Sequence, residues 1–147
     1  MLPFHQKYIS YRVDGDNQRL PLLHIRLIGQ AGQFTTIALV DSGATTTFIP
    51  PELAAAAGLV KISTTAEGLP AVGAGGTFPN DEFAYDVELV KGGSTLMRIR
   101  GTALVPREMG RIPYVVLGRD NLFKIYDITF RDQKQLLVMR PATHSSY

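Results

Sequence analysis

Apolar and polar residues alternate one by one along much of this chain. Leu23, Ile25 and Leu27 alternate with His24 and Arg26, and Phe83, Tyr85, Val87 and Leu89 with Ala84, Asp86 and Glu88. Met97 and Ile99 alternate with Arg98 and Arg100. Tyr126, Ile128 and Phe130 alternate with Asp127 and Thr129, and Leu136 and Val138 resume the pattern. A period of two sends successive side chains to opposite faces, so each run reads as a half-buried strand. Turn-forming clusters separate the runs: Asp14-Gly15-Asp16-Asn17, Gly29-Gln30-Ala31-Gly32, Pro79-Asn80-Asp81, Lys91-Gly92-Gly93-Ser94 and Arg131-Asp132-Gln133-Lys134. Many short strands joined by tight turns define an all-β barrel or sandwich.

Helical signals are few. Pro50-Pro51-Glu52-Leu53-Ala54-Ala55-Ala56-Ala57-Gly58 has proline at its start and glycine past its end. A second candidate around Arg119 to Lys124 is one or two turns long. With 147 residues the chain fits one domain, and 45% apolar residues suffice for a core. A net charge of +2 without a Lys/Arg run argues against nucleic acid. Arg98 and Arg100 share one strand face and read as solvated. Cysteine is absent, which excludes disulfides, thiolate zinc sites and a cysteine nucleophile. His5, His24 and His144 are too scattered for a metal site. No apolar run approaches the ~18 residues of a membrane span, and the first residues lack the apolar stretch of a signal peptide. The expectation is a soluble cytoplasmic protein with no cofactor and no membrane partner.

One acid breaks the apolar pattern. The run Ile37-Ala38-Leu39-Val40 ends at Asp41, followed by Ser42, Gly43, Ala44 and three threonines, before Phe48-Ile49 returns to apolar character. A carboxylate between two stretches of core is costly unless hydrogen-bonded or neutralised. An Asx-turn that only caps the strand end is the usual reading of a lone Asp-Ser-Gly. A second stretch bears on the choice: Val115-Val116-Leu117-Gly118-Arg119-Asp120-Asn121-Leu122-Phe123 is an apolar strand that ends in glycine and enters a short helix. Between the two, Ala66 to Pro79 holds Gly73, Gly75 and Gly76 within four positions. It reads either as a surface loop or as a hairpin that closes over a bound chain. It is no phosphate cradle, since no lysine follows and no helix opens there.

In this order, Val40-Asp41-Ser42-Gly43-Ala44, Val72-Gly73-Ala74-Gly75-Gly76 and Val116-Leu117-Gly118-Arg119-Asp120 resemble the retropepsin-like aspartic proteases, bacterial members included. Tyr126 to Phe130 and the strand running to Arg140-Pro141 extend the resemblance over roughly residues 20–141 of a single domain, 1–147. It implies a retropepsin-like closed β-barrel with one or two short helices. It also implies a homodimeric aspartic endopeptidase in which each chain brings one catalytic Asp41. One Asp-Ser-Gly is present, and the chain is too short for the two lobes of a pepsin-like monomer. Two such carboxylates at a two-fold axis share one proton. The ionised one activates a water and the protonated one donates to the scissile carbonyl, with no metal or other cofactor. Ser42, Gly43 and Ala44 support the site, with Ser42 bonding across the axis, Gly43 close to substrate, and Gly43 permitting a sharp bend. Val72 to Gly76 form the flap over an extended peptide or unfolded protein substrate. Gly118, Arg119 and Asp120 are structural. The remaining acids, among them Asp14, Asp16, Asp81 and Asp132, sit in turn contexts and are expected to face solvent.

Some positions depart from the family. Retroviral members usually carry an acid at the position of Thr45, paired with the arginine at the position of Arg119. Arg119 must therefore turn to Asp120, Glu52 or backbone carbonyls, or stay solvated. Ser94 to Ile112 is longer than a minimal retroviral chain needs and is expected to add a strand or loop, in which Arg107 and Glu108 read as solvated. An alternative to the enzyme is a catalytically silent module of the same fold that binds peptides or dimerises. The intact Asp41-Ser42-Gly43 favours the enzyme.

Overall fold

The computed structural model describes residues 3–63, 68–73 and 76–142. Along them run strands β1 (Phe4–Lys7), β2 (Ile9–Val13), β3 (Asp16–Leu20), β4 (Leu22–Gly29) and β5 (Gly32–Val40), then helix α1 (Pro51–Ala57). Next come β6 (Lys61–Ser63), β7 (Leu69–Gly73), β8 (Gly76–Lys91), β9 (Ser94–Pro106) and β10 (Val115–Leu117). Helix α2 (Leu122–Ile125), β11 (Tyr126–Arg131) and β12 (Leu136–Pro141) complete the order. The protein is mostly β, as the alternation demands. Among the described residues no helix is long and apolar enough to cross a membrane.

A ring of strands organises the fold. β4 and β5 form a hairpin in which Gly29 faces Gly32. β4 also pairs with β8, β8 pairs with β9 across Gly92-Gly93, and β10 lies parallel to β5. Phe48 closes the circuit. Its N–H donates to the Val116 carbonyl at 2.9 Å, and the Val116 N–H returns to the Phe48 carbonyl at 2.9 Å. Beside it, the Leu104 N–H of β9 donates to the Thr47 carbonyl at 2.9 Å, and the Ile49 N–H to the Leu104 carbonyl at 3.0 Å. Closure thus rests on one rung on each side of Phe48. Leu23, Ile25, Leu27, Val87, Ile99 and Leu117 fill the buried core, each worth roughly 1.5–3 kcal/mol of burial. The polar alternates Arg26, Asp86, Glu88, Arg98 and Arg100 form an ion-paired outer face.

Helix α1 starts with Pro51 in its first turn, where no N–H is needed, and stops at Gly58 in the left-handed conformation (φ 69°). The second helical signal is the single turn of α2. Ser94 to Ile112 forms strand β9 and then a loop.

Three details differ from the expectations. Pro79-Asn80-Asp81 is not a turn but the interior of β8. Pro70 and Pro79 face each other across the β7–β8 ladder, so their missing donors fall at one rung. The fully buried Asn80 donates its amide to the carbonyls of Leu69 (3.0 Å) and Phe78 (3.1 Å), which holds the chain extended. Asp81 accordingly does not face solvent. Its side chain is only 14% exposed and is paired with Arg107 at 3.0 Å and Lys61 at 3.5 Å, so Arg107 is not merely solvated either. Lastly, β12 is buried at three successive positions, Leu137, Val138 and Met139. It is the central strand of the sheet β1-β12-β11, covered on both faces, so its alternation is lost.

Candidate active site

Strand β5 delivers Asp41 to the end of the ring beside β10. The Asp41 N–H donates to the Leu117 carbonyl at 3.1 Å, which extends the parallel β5–β10 pairing by one bond. The chain then folds back on itself. The Ala44 N–H donates to the Asp41 carbonyl at 3.2 Å, and the Gly43 N–H to Asp41 Oδ1 at 2.8 Å. This is the Asx-type turn that the bare sequence also allowed. It leaves the carboxylate half-exposed and its other oxygen without a hydrogen bond among the described residues. Gly43 was expected to permit a sharp bend, yet its backbone is not left-handed. A Cβ there would sit 3.2 Å from Asp41 Oδ1, so the glycine keeps the space beside the carboxylate clear.

A second loop braces the first from behind. Gly118, just after β10, lies so close to residues 44–46 that a Cβ would meet the Ala44 carbonyl at 2.8 Å and the Thr46 carbonyl closer still. The Arg119 N–H donates to the Ala44 carbonyl at 2.9 Å. The Asp120 carboxylate accepts from the Thr47 N–H (3.0 Å), the Thr47 hydroxyl (2.9 Å), the Thr46 hydroxyl (3.3 Å) and the Asn121 N–H (3.0 Å). Asn121 Nδ2 in turn donates to the Tyr85 hydroxyl at 2.7 Å. The tie that an acid at position 45 would make to the arginine is thus made by Asp120 to the threonines. Arg119 is exposed, and its side chain has no partner among the described residues. Ser42 is likewise exposed, its hydroxyl unbonded among the described residues.

Asp41 opens into a cleft of about 670 Å³. Gly43, Ala44, Thr45 and Thr46 line one side, and Pro70, Ala71 and Val72 of β7 line the other. The β7–β8 hairpin therefore stands across the cleft from Asp41, with Val72 83% exposed on it. Gly76 begins β8 with φ +96°, a conformation that suits glycine. Ala74 and Gly75 lie outside the described residues. Among the described lining residues Asp41 is the only carboxylate and Arg111 the only cation.

Tyr114 stands near the carboxylate. Burial first, then Tyr11 and the negative charge of Asp41, push its hydroxyl above the usual tyrosine value. Its ring meets Tyr11 of β2 edge-on, centroids 5.2 Å apart. Sequence reasoning treated tyrosines as core and passed over Tyr114, Arg111 and the closing role of Phe48. The available signal for Tyr114 was its position two residues before Val116, which lines the cleft.

This geometry has counterparts among known proteins. Residues 28–121 match the model of the aspartyl protease family, and the chain belongs to that family. In fold it is a retropepsin. It is similar to the EIAV protease solved in complex with the inhibitor HBY-793, at 20% identity and a TM-score of 0.50, over 76% of this chain and 89% of that one. A search of curated protein sequences finds no match.

Proposed function

We propose that the protein, as a single domain, is an aspartic endopeptidase that works as a two-fold homodimer and cuts extended peptides or unfolded protein, with Asp41 of each protomer in the catalytic pair. One observation supports this most: among the described lining residues the cleft offers a single carboxylate, Asp41, half-exposed on a braced loop opposite a hairpin. Hydrolysis of an amide by water needs a base and an acid. One carboxylate cannot hold both roles at once, and no other acid lines the cleft among the described residues. A second copy of the same loop supplies the partner under two-fold symmetry.

The steps follow from that pairing. Two carboxylates side by side retain one proton between them, as is general for aspartic proteases. The ionised Asp41 removes a proton from a bound water as it attacks the scissile carbonyl carbon. The protonated Asp41 donates to the carbonyl oxygen, and the proton taken from water passes to the leaving amine. Ser42, exposed and unbonded among the described residues, bonds across the axis. The cleared space at Gly43 admits the substrate backbone. Val72 to Gly76 act as the flap, the edges of β7 and β8 accepting the peptide by strand-type hydrogen bonds. Gly118, Arg119 and Asp120 hold the loop that bears Ala44.

The test is Asp41→Asn. Cleavage of a fluorogenic extended peptide is expected to fall by at least about 10³-fold, with the circular dichroism spectrum unchanged. Unchanged cleavage by the folded variant would exclude Asp41 as the catalyst. Absence of cleavage by the parent protein from acid to neutral pH, with peptide binding retained, would instead mark a silent binding module.

A further inference from the structure

One cation lines the cleft among the described residues, and it has no part in the chemistry above. Arg111 lies in the loop between β9 and β10 and lines the cleft that holds Asp41. Its guanidinium sits over the ring of Phe78 on the β7–β8 hairpin, 5.3 Å from the centroid. Phe78 is buried and leans on Phe48, the residue that closes the ring of strands, with centroids 6.2 Å apart. The guanidinium therefore rests against Phe78, which is itself backed by Phe48 at a ring tilt of 50°. Arg111 Nε donates to Glu108 at 2.9 Å, and its side chain is 30% exposed against 56% for Glu108. The two Nη groups have no hydrogen-bond partner among the described residues. Guanidinium presents donors in a planar fork that matches a carboxylate. Here Glu108 takes the Nε donor and the Phe78 ring lies beside the group, which leaves the Nη donors open. The neighbouring cleft residues Phe48, Phe78, Leu104, Ile112 and Val116 are apolar, and the weak screening beside such walls strengthens a charge–charge contact.

We infer that Arg111 is a specificity-determining residue that receives the ionised side chain of a glutamate or aspartate in the bound peptide. In a two-fold dimer the receptor occurs twice, once toward each end of the cleft, so acidic residues on either side of the scissile bond are favoured. This rests on the endopeptidase reading of the cleft, and the test separates the two.

The probes are fluorogenic peptides that differ only in carrying Glu, Gln or Lys at one position, scanned along both sides of the cut. The readout is the Glu/Gln ratio of kcat/KM within each protein. The unaltered protein is expected to prefer Glu about tenfold at one position per side, as one charge-assisted bidentate contact allows. In Arg111→Gln that ratio falls to near one, and in Arg111→Glu the preference passes to Lys. A structural role alone would not reverse the sign. A Glu preference undiminished in Arg111→Gln, or none in the unaltered protein, overturns the inference. Should the variants fail to fold, the unaltered protein still decides. Its preference must shrink between low and high salt, and a ratio indifferent to salt counts against Arg111. Binding of the same peptides to Asp41→Asn, followed by fluorescence anisotropy, gives a readout without turnover. If peptides are cut through Asp41 with no acidic preference, this inference falls and the endopeptidase stands. If nothing is cut but Glu peptides bind more tightly through Arg111, the reverse holds.

Discussion

Asp120 makes four hydrogen bonds from one carboxylate, and three of them reach Thr46 and Thr47, which follow the Asp41 loop. Thr47 is 1% exposed, so no water can replace the acceptor its N–H would lose. Asp120→Ala is therefore expected to destabilise the fold by about 2–3 kcal/mol, seen as a lower urea midpoint with an unchanged slope. Asp120→Asn keeps an oxygen acceptor and is expected to cost about half as much. A midpoint shift of similar size in both would show that charge, not acceptor geometry, holds the loop. Arg119→Ala, one residue away, exposed and unpartnered among the described residues, is expected to change stability by no more than ~0.5 kcal/mol. The residue types around Asp41 were readable in the sequence, but this division of labour was not. Arg119 and Asp120 are adjacent, and only the approach of Gly118 to residues 44–46 decides which of them faces the threonines.

Elements were legible where one rule of local chemistry governed them. β4, β8 and β11 follow from alternation, β5 from its apolar run, and α1 from its proline and glycine ends. Reading failed where a distant contact took over. Pro79-Asn80-Asp81 has the composition of a turn, but the Asn80 side chain bonds Leu69 across the hairpin and keeps β8 extended. Asn80→Ala removes two buried bonds, at about 1 kcal/mol each. Amide exchange in β7 should quicken by roughly tenfold or more, while amides of the β4–β5 hairpin stay unchanged. Equal acceleration of both would mean that the hairpin has no opening of its own. β1 and the β2–β3 hairpin were not foreseen, although Ile9, Tyr11 and Val13 alternate with Ser10 and Arg12 before the turn at Asp14-Gly15. Their anchor is Tyr8, whose hydroxyl donates to Asp132 at 2.6 Å in the β11–β12 turn. Burial, aided by that carboxylate, raises the Tyr8 hydroxyl to about 12. A group raised on folding stabilises fully below its unfolded value, near 10, and loses that contribution as pH climbs toward 12. Tyr8→Phe should therefore be less stable than the parent by about 1 kcal/mol at neutral pH. The gap should close between pH 10 and 12. A gap that stays constant through pH 12 would mean the hydroxyl is not held as described.

At the scale of the molecule, closure of the ring through Phe48 faces outward to function. It fixes the 47–49 segment, which leaves residues 41–46 as a short loop pinned at both ends and presented at one end of the barrel. Such a loop is rigid enough to meet its own copy in a defined geometry. The all-β ring was legible from alternation and turns and its closure followed from the family resemblance, whereas the residue that closes it was not legible, since Phe48 pairs at a single rung on each side. If the loop is half of a catalytic pair, activity belongs to the dimer alone. Dilution below the dimer dissociation constant should lower specific activity, with light scattering reporting the matching loss of mass. Mixing offers the sharper measurement. Protein unfolded and refolded together with an equal amount of Asp41→Asn forms parent, mixed and mutant dimers in statistical proportion. Mixed dimers hold one carboxylate and cannot supply both base and acid, so activity should fall to about a quarter of that of the same total protein as parent. A fall to only about half, with exchange of subunits verified by mass, would mean that each chain works alone.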